Sequence, residues 1–269
     1  MKTLVVCTAF SVALLCACGG KNGQETTKSA SVESVVEKTP VVNQLTEQEK
    51  SEGWQLLFDG KTTDGWRGAH KDVFPQHGWS VKDGMLIVQK SDGSESTNGG
   101  DIVTLGEYSA FEFSVDFKIT EGANSGIKYF VTEKEQQKGS AYGLEFQILD
   151  DAKHPDAKLY TTFPGSRTLA SLYDLKKSEG VNFNGVGEWN TAVVKVFPNN
   201  HVEHWLNGVK VLEYERGSEE FKKLVKGSKY AAPSYNTAGA FGEAEKGHIL
   251  LQDHGDEVAF RNIKVKVLK

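Results

Sequence analysis

The sequence predicts an all-β domain built as a two-sheet sandwich. Apolar and polar residues alternate over many short segments, and no long stretch has helical periodicity. Turn signals such as Asp83-Gly84 and Asn207-Gly208 separate neighbouring segments, and Asn-Gly favours the type I′ turn of a β-hairpin. The chain has no repeat of fixed period, which argues against a propeller or a solenoid. Short strands joined by glycine turns are typical of a sandwich.

The elements follow in order from these patterns. A short helix is predicted at 46–52, where Thr46 caps the first turn and Glu49 completes a capping box. Strands are predicted at 55–58, 79–81, 85–88, 102–104, 110–119, 126–132, 144–149, 191–197, 201–206, 209–214, 248–251 and 258–267. A second helix is predicted at 218–226, with Ser218 as its cap. Turns are predicted at 59–60 and 64–66, and long loops at 122–126 and 163–190.

Composition and charge exclude several functions. The formal net charge is −5, and no stretch is rich in Lys and Arg, whereas phosphate binding needs clustered positive charge. We therefore expect no nucleic-acid partner. The sequence carries no dinucleotide-binding fingerprint, and its glycine-rich segment 122–126 lacks the lysine and the following helix of a phosphate-binding loop.

The N-terminal segment carries the signals of a bacterial lipoprotein. The three cysteines of the chain are Cys7, Cys16 and Cys18, so the folded part has no disulfide framework. The apolar run is too short to span a membrane and is typical of a secretory signal. The sequence LCAC at 15–18 resembles a lipobox, which predicts a signal peptide at 1–17 and lipidation of Cys18.

The segment that follows is polar and has no sustained apolar period. We expect a flexible tether at 18–52 and a single domain at 53–269. The predicted location is the bacterial cell envelope, on the periplasmic face or the cell surface. The lipid anchor is then the only contact with the membrane.

The polar side chains with the greatest chemical interest lie on and after the strand at 144–149. Strict alternation places Glu145 and Gln147 on one face of this strand, while the other face is wholly apolar and must lie against a core. The strand then runs into Asp150, Asp151, His154 and Asp156. Such a pattern is typical of the floor and rim of a polar cleft, and it is also compatible with a solvated sheet face followed by an acidic turn.

Several stretches together resemble the 3-keto-disaccharide hydrolase family, over about residues 53 to 268. They are LFDG at 57–60, DGW at 64–66, WSVKDGML at 79–86, NSGI at 124–127, YGLEFQILD at 142–150, GEWN at 187–190, VEHWLNG at 202–208, LQDHG at 251–255 and FRNI at 260–263. The resemblance implies a concanavalin A-like jelly-roll sandwich with a carbohydrate cleft across its concave sheet. It also implies activity on glycosides whose sugar carries a 3-keto group.

An ordinary glycoside hydrolase needs two carboxyl groups, roughly 5–5.5 Å apart for retention and about 6.5–9.5 Å for inversion. Glucanases of the same fold class carry Glu-x-Asp-x-x-Glu on one strand, and the comparable residues here are Glu145, Gln147 and Asp150. The middle acid is replaced by an amide, and in a regular strand Glu145 and Asp150 point to opposite faces. A conventional hydrolase using this pair is one alternative, and a carbohydrate-binding lectin without catalysis is another.

A 3-keto sugar requires different machinery. The ketone acidifies the C2 proton, so a base can form an enolate that expels the C1 leaving group, after which water adds. Glu145 or His254 is the candidate base, and Lys128, Gln147 or a bound metal ion is the candidate for stabilising the enolate. We place Lys128 on the same strand face as Phe130.

The remaining candidates are substrate-binding residues. Asp150, Arg167, Tyr173, His204 and Gln252 are assigned to this group, with Arg167 and Tyr173 in the long loop where a lid would lie. For His254 the alternatives are a base and a metal ligand, with the preceding Asp253 or Gln252 orienting the ring.

The sequence neither requires nor excludes a divalent metal ion. No His-x-x-x-His spacing is present, so any metal site must be assembled in space from distant residues. We also expect a separate oxidoreductase to generate the 3-keto substrate, because this chain has no dinucleotide-binding motif.

Overall fold

Two antiparallel sheets face each other across one apolar core. The computed structural model of the chain describes residues 41–91, 95, 98–133, 141–235 and 240–269. The predicted signal peptide, the lipidation site Cys18 and residues 19–40 of the predicted tether lie outside the described residues. Within the described ranges, no helix combines the length and apolar character needed to cross a bilayer.

The strands are short, as the sequence predicts. They are β1 Trp54–Leu56, β2 Trp66–Gly68, β3 Trp79–Lys82, β4 Met85–Val88, β5 Ile102–Thr104, β6 Phe111–Ile119, β7 Asn124–Val131, β8 Leu144–Leu149, β9 Asn190–Val196, β10 His201–Leu206, β11 Val209–Glu215, β12 His248–Leu251 and β13 Val258–Val267. The helices are α1 Glu47–Ser51 and α2 Glu219–Gly227, with 3₁₀ turns at Pro155–Lys158, Lys229–Ala231 and Pro233–Tyr235. The predicted caps Thr46 and Ser218 are both confirmed.

The strand order confirms the all-β, two-sheet jelly-roll sandwich. One sheet has the order β11-β10-β9-β6-β13-β4-β3, with β1 also paired to β13. The other has the order β2-β5-β12-β7-β8. The hairpin β10–β11 turns at Asn207 and Gly208, whose φ angles of 48° and 79° match the expected type I′ turn.

The core forms where the apolar faces of the two sheets meet. Leu144, Phe146 and Ile148 of β8 lie in this core, as alternation predicts. Phe111 of β6 meets Tyr129 of β7 edge to face across the core, with ring centroids 6.4 Å apart. Because the inner faces of β7 and β8 are apolar, their polar side chains must lie on the outer face of the five-stranded sheet.

Two short stretches differ from the prediction. Residues 64–66 are predicted as a turn, but Trp66 begins β2 and pairs with Thr104 of β5. The buried indole of Trp66 donates its N–H to the Leu57 carbonyl oxygen at 2.6 Å, and a strand of three residues is too short to show alternation. The predicted loop 122–126 is also shorter, because β7 begins at Asn124.

The predicted position of Phe130 is wrong. Alternation places it on the outer face with Lys128, but Phe130 packs in the core beside Phe111 and Tyr129. Its φ angle is 56°, and the pairing of β12 with β7 shifts register at the same level. This irregularity is a β-bulge, which reverses the alternation of the residues that follow it.

The last part of the predicted tether contacts the sandwich. Asn43 is buried, and its side-chain amide donates to the Gly84 carbonyl oxygen at 2.7 Å. Its side-chain oxygen accepts the backbone N–H of Asn262 at 2.8 Å, while the Asn262 side chain accepts the backbone N–H of Asn43 at 2.7 Å. Residues 41–52 are therefore joined to both β13 and the β3–β4 turn.

Replacing Asn43 with alanine tests this connection. Asn43→Ala leaves the Gly84 carbonyl and the Asn262 N–H without partners, and each such loss costs about 1–3 kcal/mol. The φ angle of Asn43 is 57°, which alanine tolerates less well than asparagine. We expect the melting temperature to fall by at least about 2–4 °C.

The measurement is thermal unfolding followed by circular dichroism. Val41→Ala is the matched control in the same segment, because Val41 is exposed and its truncation should change stability by no more than about 0.5 kcal/mol. Equal melting temperatures for Asn43→Ala and the parent protein would contradict the structural role of this segment.

Candidate active site

A polar cavity of about 290 Å³ lies on the outer face of the five-stranded sheet. Its floor comes from β7, β8 and the end of β12, and its walls come from loops before and after these strands. The lining residues are Glu95, Asn124, Lys128, Ala141, Tyr142, Gly143, Glu145, Gln147, Tyr173, Lys229, Tyr230, Tyr235, Gln252 and His254. Six of the predicted site residues are among them, namely Lys128, Glu145, Gln147, Tyr173, Gln252 and His254.

Glu145 is a buried carboxyl group on the floor of the cavity. It pairs in register with Lys128 of β7, and only 5% of its surface is exposed. Burial raises the pKa of Glu145 to about 7, and the positive charges of Lys128 and Lys229 only partly oppose this effect. A carboxyl group with a pKa near 7 is suited to accept and release a proton at neutral pH.

Gln147 holds the carboxyl group of Glu145 in place. With its amide oriented to satisfy the surrounding groups, the Gln147 nitrogen donates to Glu145 Oε1 at 3.2 Å and to the Ser125 carbonyl oxygen at 3.0 Å. Gly126 makes room for this arrangement, since a Cβ atom at this position would lie 2.2 Å from Glu145 Oε1. A side chain at residue 126 is therefore incompatible with the observed position of the carboxyl group.

Lys128 is a permanently charged lysine on the same floor. Its Nζ lies 3.6 Å from Asp101 Oδ2 and 3.4 Å from Glu95 Oε1, and it donates to the Ala141 carbonyl oxygen at 3.3 Å. Burial lowers the pKa of Lys128, but the three neighbouring carboxylates Asp101, Glu95 and Glu145 outweigh burial and raise the pKa above its ordinary value. Lys128 thus supplies a fixed positive charge next to Glu145.

Lys229 is a second lysine in the cavity and was not predicted from the sequence. Its Nζ lies 4.3 Å from the centre of the Tyr173 ring and 5.2 Å from that of Tyr230. Burial lowers the pKa of Lys229, and the carboxylate of Glu145 opposes this shift. The backbone N–H of Lys229 donates to Asp174 Oδ2 at 2.7 Å, which fixes the start of this 3₁₀ turn.

Arg167 lies behind the cavity wall, where it supports residues that line the cavity. It donates to Asp156 Oδ1 at 2.9 Å and to Asp174 Oδ1 at 2.7 Å. Asp156 also accepts the Tyr173 hydroxyl hydrogen at 2.8 Å, and Asp174 accepts the Lys229 backbone N–H. Arg167 is therefore a positioning residue for Tyr173 and Lys229, and the prediction that it binds substrate directly is corrected.

Gln252 and His254 enter the cavity from the end of β12. The Gln252 amide donates to Glu95 Oε1 at 2.9 Å, and His254 Nδ1 is buried without a partner among the described residues. Neither predicted neighbour orients the His254 ring. The Asp253 carboxylate instead accepts the backbone N–H groups of Gly99, Gly100 and Gly255.

Asp150 does not line the cavity. Its carboxylate accepts the backbone N–H of Gly122 at 2.8 Å and that of Ala152 at 3.1 Å, so it joins the turn before β7 to the turn after β8. Its predicted substrate-binding role is therefore corrected to a structural one. For the same reason, Asp150 does not supply the second carboxyl group that a conventional hydrolase would pair with Glu145.

His204 also lies away from the cavity, in the core between the sheets. It has no exposed surface, and its ring nitrogens meet the Tyr129 hydroxyl at 2.8 Å and the Ala170 carbonyl oxygen at 2.9 Å. Burial lowers the pKa of His204 to about 4, so the ring is neutral at pH 7. The prediction that His204 binds substrate is wrong, because the ring is completely buried and both of its nitrogens are bound within the core.

Sequence reasoning missed Asn124, at the start of β7, and the lining residues that come from segments outside the strands. Asn124, Tyr142, Tyr230 and Tyr235 line the cavity together with Lys229 and Glu95. The rings of Tyr142 and Tyr235 are in contact, tilted by 42° with centroids 4.4 Å apart. Lys229, Tyr230 and Tyr235 follow the predicted helix at 218–226, and this cluster of lysine and tyrosine is the sequence signal from which these three could have been found.

The fold is similar to solved structures that are described as putative glycosyl hydrolases. One such crystal structure, from Parabacteroides distasonis, is 34% identical to this chain and superposes with a TM-score of 0.70; the match covers 85% of this chain and 100% of that chain. A second structure of the same description and organism is 27% identical and has a TM-score of 0.56. The match covers 80% of this chain and 99% of that chain. The chain is a carbohydrate hydrolase by class.

A family model identifies the protein family to which the chain belongs. Residues 53–266 match the family described as the 3-keto-alpha-glucoside-1,2-lyase-like domain, and the chain belongs to this family. The 3-keto-disaccharide hydrolase of Bacteroides thetaiotaomicron is 34% identical over 286 aligned residues, which cover 98% of this chain and 97% of the relative. The family resemblance noted from the sequence is thereby confirmed.

The buried, neutral His204 predicts a specific acid sensitivity. The unfolded chain binds a proton at this histidine below about pH 6.5, whereas the folded protein binds one only below about pH 4. The free energy of unfolding should therefore fall by roughly 3 kcal/mol from this group as the pH decreases through that window.

Urea unfolding at pH 7 and pH 4.5 measures this effect. In His204→Gln the amide keeps a donor and an acceptor but does not titrate, so the stability difference between the two pH values should shrink by about 2–3 kcal/mol. Exposed His77 provides the control, since His77→Gln should leave the difference unchanged. An undiminished pH dependence in His204→Gln would show that this histidine is not the source.

Proposed function

We propose that this protein cleaves glycosides whose sugar carries a ketone at C3, with Glu145 as the general base. The observation that carries the proposal is the buried carboxyl group of Glu145, which has a pKa of about 7 and is flanked by Lys128 and Lys229. The family and the named relative support the substrate class. The charged groups around Glu145 suit proton abstraction next to a carbonyl group.

The reaction we infer has three stages. Glu145 removes the proton at C2, and the electron pair moves onto the C3 oxygen as an enolate. The enolate then collapses, the bond from C1 to the glycosidic oxygen breaks, and the leaving group takes up a proton. Water adds to the unsaturated product at C1 while C2 is protonated again, which gives net hydrolysis.

The two lysines have different roles in this proposal. Lys128 is bound to Asp101 and Glu95, so its charge chiefly keeps part of the Glu145 population ionised. Lys229 has no ion pair with a carboxylate among the described residues and lies over aromatic rings, so it is better placed to meet a developing enolate oxygen. The tyrosines around it, with Tyr142 and Tyr235 at the rim, provide surfaces for sugar rings.

A conventional hydrolase is less well supported, because it needs a second carboxyl group opposite Glu145. Asp150 is bound to backbone groups outside the cavity. Glu95 does line the cavity, but its side chain is 41% exposed and bound to Lys128 and Gln252. A lectin without catalysis would not require a buried carboxyl group with a raised pKa.

The proposal extends to the cellular setting. The lipobox pattern supports a lipid anchor at Cys18 and a location at the bacterial cell envelope. A separate oxidoreductase would supply the 3-keto substrate, since oxidation at C3 requires a redox cofactor for which this chain has no binding motif.

The decisive assay is turnover of a 3-keto glucoside in D₂O beside the unoxidised glucoside. We expect deuterium at C2 of the product and no turnover of the parent compound. Cleavage of the parent glucoside at a comparable rate would instead establish a conventional hydrolase. Saturable binding of both compounds without turnover would establish a lectin.

Removing the base should abolish most activity. Glu145→Gln keeps the shape of the side chain but cannot accept the C2 proton, and we expect kcat to fall by about 10²–10⁴-fold. In the parent protein kcat/KM should rise with pH through about 7, because the pKa of Glu145 is about 7 and the ionised form is the base. This limb of the pH profile should be absent from the residual activity of Glu145→Gln.

Glu188→Gln is the control, since Glu188 is exposed and far from the cavity floor. A pH profile of Glu145→Gln that keeps its inflection near 7 would assign the base to another group. His254 is then the first residue to test.

Displacing Glu145 without changing its chemistry should also reduce activity. The added methyl group in Gly126→Ala would occupy the position of the Glu145 carboxyl group. Because the clash is with a flexible side chain and not with the backbone, Glu145 can move aside and the fold is retained. A displacement of about 1 Å at a catalytic group costs up to about 10²-fold in rate. We expect kcat to fall by this order and the melting temperature to change little, and an unchanged kcat would contradict the role of Glu145.

A further inference from the structure

Two histidines and an aspartate converge at the wall of the cavity. One potential ligand atom each from His154, His254 and Asp256 lies within 4.8 Å of the others. His154 precedes the 3₁₀ turn Pro155–Lys158, whereas His254 and Asp256 lie in the turn between β12 and β13. The cluster adjoins the cavity, because His254 itself lines it and Asp256 contacts Asn124 of the lining.

His254 presents a polar atom without a protein partner. Its Nδ1 is buried, and no hydrogen bond reaches it from the described residues. The rings of His154 and His254 stand perpendicular to each other, at 89° with centroids 6.0 Å apart. A buried ring nitrogen without a partner is unfavourable in the protein alone, which indicates a ligand at this position.

Asp256 is oriented for binding. Its Oδ2 accepts the backbone N–H of Asn124 at 3.0 Å, and no group among the described residues donates to Oδ1. A carboxylate fixed through one oxygen by a backbone N–H, with the other oxygen available, is the usual arrangement of a metal-binding carboxylate. The cluster thus offers one carboxylate oxygen and two imidazole nitrogens.

Metal binding at His154 would require the loss of a hydrogen bond or the movement of a ring proton. Its Nδ1 accepts the backbone N–H of Asp156 at 3.1 Å, so this nitrogen carries no hydrogen and its lone pair is in use. An ion at Nδ1 replaces this hydrogen bond, and an ion at Nε2 requires the hydrogen of the ring to move to Nδ1. Either change is confined to the turn at 154–156.

We propose that His154, His254 and Asp256 bind one divalent transition-metal ion whose open coordination positions face the cavity. Two imidazoles and one carboxylate suit Zn²⁺, Mn²⁺, Fe²⁺ or Co²⁺, and three protein ligands leave positions for water or substrate. The site does not depend on the proposed function. Its role does rest on that function, because an ion here would polarise the ketone or an adjacent hydroxyl of a 3-keto sugar.

A second cluster on the protein is a less suitable site and serves as an internal control. His201, Glu203 and Glu213 also bring three potential ligand atoms together on β10 and β11. Lys210 already neutralises the two carboxylates there, with Nζ 3.3 Å from Glu203 Oε1 and 2.5 Å from Glu213 Oε2. A metal ion would have to displace this lysine.

Metal binding is measured on the full chain after removal of bound ions with a chelator. Zn²⁺ and Mn²⁺ are titrated by calorimetry, Co²⁺ by its visible absorption, and the ion retained after gel filtration by elemental analysis. We expect one equivalent per chain. His254→Ala and His154→Ala should each weaken binding at least 10-fold, while His201→Ala and His77→Ala leave it unchanged; melting temperatures verify that the variants fold.

The outcomes separate the site from the proposed function. Binding that survives His254→Ala, or is lost in His201→Ala, overturns the site, and so does the absence of binding at millimolar concentrations of all three ions. Turnover of a 3-keto glucoside that is indifferent to chelator overturns the role of the ion while the proposed function stands. Tight metal binding that depends on His254, without turnover of any 3-keto glycoside, would support the metal site and contradict the proposed function.

Discussion

The two-sided burial of β7 and β8 is the constraint on which the site depends. The inner face of these strands is apolar and closes the core against the larger sheet, so Lys128 and Glu145 must both lie outward, paired in register. Loops cover this outer face, which leaves Glu145 5% exposed. Burial then raises its pKa, whereas the same carboxyl group on an uncovered sheet would remain ionised at neutral pH.

The walls of the cavity depend on a different interaction, the ion pairs of Arg167. This residue joins Asp156 and Asp174, which come from separate turns of the long excursion between β8 and β9. These aspartates in turn fix the hydroxyl group of Tyr173 and the backbone of Lys229. Arg167 is largely covered, so removing it would leave two carboxylates without their partner and loosen the wall as a unit.

The chemistry that we propose for the cavity rests on the number of carboxyl groups at its centre. A pair of acids facing one bond supports displacement at the anomeric carbon, whereas one buried base among cations supports removal of an acidic C–H proton. Asp150 is not available as a second acid in the cavity, because its carboxylate is bound to the backbone of the turns before β7 and after β8.

Local pattern in the sequence determined the sandwich, the caps at Thr46 and Ser218, the hairpin at Asn207-Gly208 and the outward position of Glu145 and Gln147, because alternation and turn residues act over a few positions. Tertiary structure alone decided the rest. The bulge at Phe130 reverses alternation, His204 is enclosed by the second sheet, and Lys229 and the tyrosines reach the cavity from distant loops. The cluster of His154, His254 and Asp256 likewise cannot be recognised from a short motif in the sequence. His154 follows β8 and the other two follow β12, and these segments meet only in the folded chain.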